Sequence, residues 1–374
     1  MNTFEITIQR QAGQAWPAVV EYSRSGEFLP RRTVGELQLS AEQQAELLAL
    51  GHDPLAYGTL LGQALFSGPV HTAFIQARAM TSVGNGDEQE ERLRVLLLVE
   101  DQSLRTWHWE RLCAPTDVEG WDFLALDQRV PFSIYMPSAA ERRFRPIGRR
   151  DLRALVLVAN PANLADYSLD DFDDAATVAC VRDALGDIPC DVLAHVEGAA
   201  GPPTLDELAR RITAESYTLL HIVAHGQYLE RKGETALYLA DENNQVAVVT
   251  ATQLITRLRR LQGARGLPHL AFLSTCESAS PGAEGERALG GVAQRLVREL
   301  GMPAVVAMTE RVSISTAQVL AETFYRRRRE HGEPDRALVE ATAGLAEAYD
   351  VTVPALFSRL GGRPLFSDTL DRAL

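Results

Sequence analysis

With 37 Lys and Arg against 50 Asp and Glu over 374 residues, the chain carries a formal charge of −13, which speaks against the concentrated basic stripe that binding to nucleic-acid phosphates requires. Its four cysteines, Cys113, Cys180, Cys190 and Cys276, are too few and too scattered for a disulfide framework and form no C-x-x-C zinc pair, so the reducing cytosol is the expected compartment. No run of 18 apolar residues occurs, and the amino-terminal MNTFEITIQRQ alternates apolar and polar residues instead of pairing a basic stretch with an apolar core, so neither membrane spanning nor secretion is expected.

The length exceeds what one hydrophobic core usually serves. In the front third, FEITIQ (4–9) and AVVEYS (18–23) alternate at strand period around a Gly-containing loop, predicting a hairpin. Helical patterns follow at 40–51, opened by a Ser cap and closed by Gly, then at 54–66 and 69–80. The polar 83–92 reads as a loop before the strand LRVLLLVED (93–101). A charged stretch with Pro and Gly, at about 138–150, marks the boundary between a mixed α/β region (1–147) and a second domain (148–374).

Beyond that boundary strands and helices alternate. Strands are expected at 152–161, 190–198, 217–226, 268–278 and 302–313, with a hairpin over 236–250 around Glu242-Asn243-Asn244. Helices are expected at 170–185, 204–213, 251–261, 286–300, 315–330 and 334–349, the second opening on a capping-box-like Thr204 and Glu207. Such alternation predicts a mostly parallel sheet with helices on both faces. RRRR (326–329), the one dense basic run, reads as the solvated last turn of a helix, where cations suit the macrodipole.

Two of these apolar strands end in chemistry-bearing residues, HIVAHG (221–226) in His225 and LAFLSTCES (270–278) in Cys276. Strand C-termini are where an open α/β sheet builds its site. A nearby imidazole takes a thiol's proton and later returns it to the leaving amine, so these are the types a cysteine hydrolase needs. Their separation of about 50 residues matches the caspase spacing, although the caspase pentapeptide is absent. Gly226 lets substrate approach closely, and its N–H with that of Cys276 are candidate oxyanion donors. Either residue alone is ordinarily structural, Cys as a small hydrophobe and His as a satisfied strand-end residue. Together at equivalent strand ends they favour catalysis. His221, four residues before His225 and deeper in the strand, is expected to be structural. Trp107 and Trp109 are expected to anchor the front region, and His195, His269, Cys180 and Cys190 to pack.

From about 152 to 367 the chain resembles the CHAT domain, a caspase-like peptidase family of the caspase, separase and gingipain clan. The resemblance rests on HIVAHG, ALYLAD, LAFLSTCES, GERALGGVAQRLVRELGMPAVVAM (285–308) and FYRRRREHGEPDRALVEA (324–341). Ahead of it, HWERL (108–112) is similar to a recurrent P-W-E-x-L element, with His108 in place of Pro. The resemblance implies a caspase-like fold and a thiol endopeptidase whose His225 and Cys276 form a dyad without an obligatory third residue, with no metal or organic cofactor. Where several clan members carry an acid two residues before the cysteine to accept a basic P1 side chain, this chain has Ser274, so a neutral or apolar P1 is expected. Asp241, Glu277 and Glu310 are acids that would shift that preference, and Glu310 falls in Met308-Thr309-Glu310 where relatives often carry Trp or Gln. Glu286 with Gly285 is a further substrate-contact candidate.

The reading that follows is an intracellular endopeptidase cutting a specific protein partner, activated by a separate protein or ligand as in the bacterial signalling and defence peptidases it resembles. Neither nucleic acid nor membrane is an expected partner. The alternative is a catalytically silent caspase-like binding or scaffold module. A small-ester hydrolase or nucleotide-binding domain lacks its motifs, since the chain has no G-x-S-x-G elbow, Walker A loop or G-x-G-x-x-G after a strand.

Overall fold

The computed structural model describes residues 2–25, 27, 29–82, 92–116, 120–137, 147–260, 266–274, 288–310, 312–345 and 350–366. The chain divides into two compact units, Met1–Tyr135 with Leu338–Ala346, and Met136–Ala337 with Glu347–Leu374.

The first unit is built on strands β1 (Asn2–Ile8), β2 (Trp16–Ser23) and β3 (Arg31–Leu37), helices α1 (Ala41–Ala49), α2 (Pro54–Leu65) and α3 (Gly68–Ser82), and strands β4 (Leu93–Val99), β5 (Cys113–Pro115), β6 (Trp121–Phe123) and β7 (Phe132–Tyr135). Five of these strands lie in the order β3-β2-β1-β4-β7, and β5 pairs with β6 apart from them. Phe4, Ile6 and Ile8 on β1 are fully buried. Phe4 meets Phe74 of α3 edge-on at 5.5 Å, so the alternation read from the sequence is the packing face of the sheet. The sequence shows no sign of β3 because Arg31 and Arg32 are polar and Gly35 is a poor strand former. It is an edge strand paired only with β2, and Gly35 permits the close approach of α3, since a Cβ there would stand 2.7 Å from Val70. Trp109 is buried and Trp107 stacks on it at 6.0 Å, the anchoring expected of the pair.

The second unit is the mostly parallel sheet that the alternation predicts. Its elements are β8 (Ala154–Val158), α4 (Asp174–Leu185), β9 (Cys190–Leu193), α5 (Leu205–Ala214), β10 (Leu219–Val223), β11 (His225–Leu229), β12 (Glu234–Ala240), β13 (Val246–Thr250), α6 (Ala251–Arg259), β14 (Leu270–Ser274), α7 (Ala288–Leu300), β15 (Ala304–Met308), α8 (Ile314–His331) and β16 (Pro354–Ser358), while α9 (Pro334–Ala343) begins in this unit and has its residues from Leu338 onward in the first. Six strands follow the order β16-β15-β14-β10-β8-β9, all parallel except β16 against β15. All five residues of β8, β10, β14 and β15 are buried, as expected of strands covered on both faces. The crossovers β8 to β9 and β9 to β10 run in opposite directions, so right-handed connections put α4 and α5 on opposite faces. Accordingly α4 packs with α8, while α5, α6 and α7 pack in succession. A separate antiparallel sheet, β11-β12-β13, includes the anticipated hairpin.

The solvated reading of 326–329 fails at one position. Arg328 is 0 % exposed, with its guanidinium over the rings of Tyr325 and Phe366. Four successive residues sample the whole circumference of a helix, so one of the four must turn inward beside Phe324 and Tyr325.

His221 is a core residue. Its ring stacks on Phe272 at 5.0 Å and its Nδ1 shares a 2.9 Å hydrogen bond with the Tyr325 hydroxyl. Burial pushes its pKa down to about 3. Below about pH 6.5 the unfolded chain therefore takes up a proton that the folded one refuses, and stability present above 6.5 is lost as pH falls towards 3. Denaturant unfolding at pH 7.5 and 5.0 should show a loss to which His221 contributes about 2 kcal/mol. In the His221→Gln protein that contribution should vanish, and an equal pH dependence in the two proteins would contradict the assignment.

Candidate active site

The C-terminal ends of three central strands are laced together. Val223 on β10 stands in register with Val158 on β8 and with Ser274 on β14. Ala159 N–H donates to the Val223 carbonyl at 2.9 Å, and Ala224 N–H to the Ser274 carbonyl at 3.2 Å. Here the chain leaves the sheet. His225 opens β11 and lies opposite Tyr238 of β12, with Gly226 opposite Leu237. The single strand expected over 217–226 is thus two, because after Val223 the backbone exchanges its parallel partners for an antiparallel one.

His225 is 2 % exposed, and its Nε2 lies 2.9 Å from the carbonyl oxygen of Asp170. A carbonyl only accepts, so Nε2 carries the proton, and in the neutral ring Nδ1 holds the lone pair. The Phe172 ring tilts against the imidazole at 5.8 Å. Burial holds the His225 pKa below the ordinary histidine value, and the carbonyl and carboxylate of Asp170 oppose this in part. The imidazole is therefore neutral at pH 7, the form that accepts a proton.

Asp170 and Phe172 lie in the loop between β8 and α4, not in a helix beginning at 170 as the sequence suggests. The helix starts later because Asp173 caps it, its side chain accepting from Ala176 N–H at 2.9 Å. The Asp170 carbonyl is taken by His225 and that of Phe172 by the Asn160 side chain. The loop is seated on the β12–β13 hairpin. Leu164 and Leu169 pack with Tyr238, Val246 and Val248, and Ala162 N–H donates to the Asn244 carbonyl at 2.9 Å. Val246 N–H donates to Asn163 Oδ1 at 2.7 Å.

The remaining site candidates are distributed unevenly. Ser274, buried, ends β14. Glu310, half-buried, follows the end of β15, the neighbour of β14. Both belong to the same sheet edge as His225. Asp241 does not stand in that row. It opens the turn between β12 and β13, where its Oδ1 accepts from Asn243 N–H and Gln245 N–H, each at 2.8 Å. Cys276, Glu277, Gly285 and Glu286 lie outside the described residues. Sequence reasoning missed Asp170 and Phe172 because the group that holds the imidazole is a main-chain carbonyl, which every residue type carries.

Among the described residues, no group of three or more His, Cys, Asp or Glu is placed to hold a metal ion, and no helix is long and apolar enough to cross a membrane. A cavity of about 780 Å³ opens among Arg150, Arg153, Tyr217, His269 and Pro303. It lies at the N-terminal ends of the parallel strands, away from the His225 edge.

A mostly parallel sheet flanked by helices is the architecture of a caspase-like α/β fold. Residues 55–352 match the family model of the CHAT domain. The chain belongs to that family, a domain related to the caspase-like cysteine peptidases. The match begins within the first unit and so takes in more than the segment from 152 that carries the resemblance. No curated protein matches the chain.

The dominance of burial in setting the His225 pKa is testable by histidine hydrogen–deuterium exchange followed by mass spectrometry over pH. The His225 midpoint should lie below 6.5, and Phe172→Ala, which admits water to the ring, should raise it towards 6.5. A wild-type midpoint above 6.5 would mean that the Asp170 charge outweighs burial.

Proposed function

We propose that the chain is a cysteine endopeptidase cleaving a protein substrate, with Cys276 as nucleophile and His225 as its base. The observation that supports this best is the buried His225 imidazole, its Nε2 2.9 Å from the Asp170 carbonyl oxygen, one residue beyond the backbone bond that ties the end of β10 to Ser274, two residues before Cys276. In this reading the Cys276 thiol proton passes to His225 Nδ1, and the thiolate sulfur bonds to the scissile carbonyl carbon. The resulting oxyanion is met by the N–H groups of Gly226 and Cys276. Collapse breaks the carbon–nitrogen bond as Nδ1–H protonates the leaving amine. Water then attacks the thioester while Nδ1 takes its proton, and departure of the sulfur releases the acid and restores the thiol. During each protonated interval the Asp170 carbonyl keeps its hydrogen bond to Nε2–H and favours the imidazolium.

The front region, 1–147, accompanies the peptidase domain, 148–374, in this reading. Activity gated by a separate protein or ligand, as in bacterial signalling and defence peptidases, suits an enzyme whose unrestrained action would damage its own cell. Ser274, in the place where an acid would accept a basic P1, supports a neutral or apolar P1. Glu277 and Glu310 are the acids that would reverse this, and the turn bonds of Asp241 make it the weakest of the three.

Mass-spectrometric mapping of cuts in a proteome-derived peptide library, with and without candidate partners, should find cleavage that Cys276→Ala abolishes. His225→Ala should lower kcat by about 10²- to 10⁴-fold, with melting temperatures little changed in both variants. Cuts that survive Cys276→Ala would refute the nucleophile, and silence with every partner tried would favour a binding module.

A further inference from the structure

Asn160 stands two residues beyond the end of β8, and its carboxamide engages a single residue of the following loop from both sides. Its Nδ2 donates to the Phe172 carbonyl at 2.6 Å, and its Oδ1 accepts from Phe172 N–H at 3.4 Å. Phe172 is two residues from the carbonyl that receives His225 Nε2–H, and its ring also meets the imidazole. Asn160 itself is joined to the sheet, because the preceding residue, Ala159, donates its N–H to Val223 on β10. The segment that fixes the imidazole is thus tied through one side chain to the strand beside the one that delivers His225.

From this we infer that Asn160 is a positioning residue, a clamp that fixes the Asp170 carbonyl and thereby holds His225 as the Nε2–H tautomer with Nδ1 as proton acceptor. The inference rests on the reading of His225 as the base of the site. A carboxamide carries its donor and its acceptor on two separate atoms, so one side chain meets both the carbonyl and the N–H of Phe172. A carboxylate of the same shape keeps the bond from Phe172 N–H, but sets two acceptors against each other at the Phe172 carbonyl. Alanine forfeits both bonds and leaves the peptide groups of a half-buried loop residue to be satisfied some other way. In the alanine variant the 170–172 segment loses its tie to β8, in the aspartate variant repulsion at the Phe172 carbonyl displaces it, and in both the imidazole is no longer held to one tautomer. The hydrophobic contacts of Leu164 and Leu169 remain, so the loop stays on the hairpin and the loss falls on orientation. Misplacement on this scale costs about 10- to 100-fold in turnover.

Long-range proton–nitrogen correlation spectra of the full chain, labelled with ¹⁵N-histidine, read the His225 tautomer directly. Wild type should show Nε2–H alone, whereas Asn160→Ala and Asn160→Asp should show a mixture of tautomers. With a substrate found by the cleavage mapping, both variants should have kcat lowered about 10- to 100-fold at unchanged KM and near-wild-type melting temperature. A folded Asn160→Asp protein with Nε2–H alone and undiminished kcat overturns the clamp. If neither variant folds, the wild-type Asn160 side-chain amide decides. Hydrogen exchange of its Nδ2 protons well below the rate of an exposed asparagine supports the clamp, and exchange at that exposed rate overturns it. Should wild type cleave nothing, the tautomer spectra still test the clamp while the peptidase reading fails alone. If wild type cleaves and the variants match it, the clamp fails and the peptidase stands.

Discussion

The ladder joining β8, β10 and β14 is the constraint on which the second unit depends. Each strand has five residues buried on both faces, so its peptide groups have no recourse to water and must be satisfied by its neighbours. An unsatisfied buried group costs about 1–3 kcal/mol, and a slip of one residue would also exchange the faces to which every side chain points. The register Val158, Val223, Ser274 is therefore imposed by satisfaction of the backbone. It brings the ends of three strands together at one edge, and His225 stands two residues beyond the end of the central one.

The two histidines of this stretch show how environment distinguishes two buried imidazoles on successive strands. His221 lies wholly within the sheet, stacked on Phe272 and bonded to Tyr325, and burial alone drives its pKa down to about 3. His225, four residues on, is nearly as buried, but a main-chain carbonyl and a nearby carboxylate partly oppose the desolvation. The outcome is a ring that is neutral at pH 7 and has a partner that steadies its protonated form. Burial supplies the neutrality and the Asp170 carbonyl supplies the orientation, and neither requires a third ionisable side chain.

Elements buried on both faces, or on one face with clear alternation, could be read from the residues, as β1, β8, β10, β14 and β15 were. Those at edges could not. β3 is polar and paired on one side, and β11 (HGQYL) has no apolar run to announce it, since only its partner β12 makes it a strand. The start of α4 is not legible because the acidic run DDFDD carries several residues able to cap, and the contacts of Asp170 and Phe172 with distant groups select Asp173. Among four consecutive arginines, composition does not reveal that Arg328 faces the core.

By itself the sequence determined the alternating α/β pattern, the family resemblance and the residue types at two strand ends, because apolar runs and side-chain chemistry are local properties. Tertiary structure decided which acceptor His225 meets, which of its nitrogens carries the proton and which loop residues hold it. The physical reason is that the bond from His225 reaches 55 residues along the chain to a carbonyl. A carbonyl is common to every residue, so nothing in the side chain at position 170 marks it, and only the folded path of the backbone brings it to the imidazole.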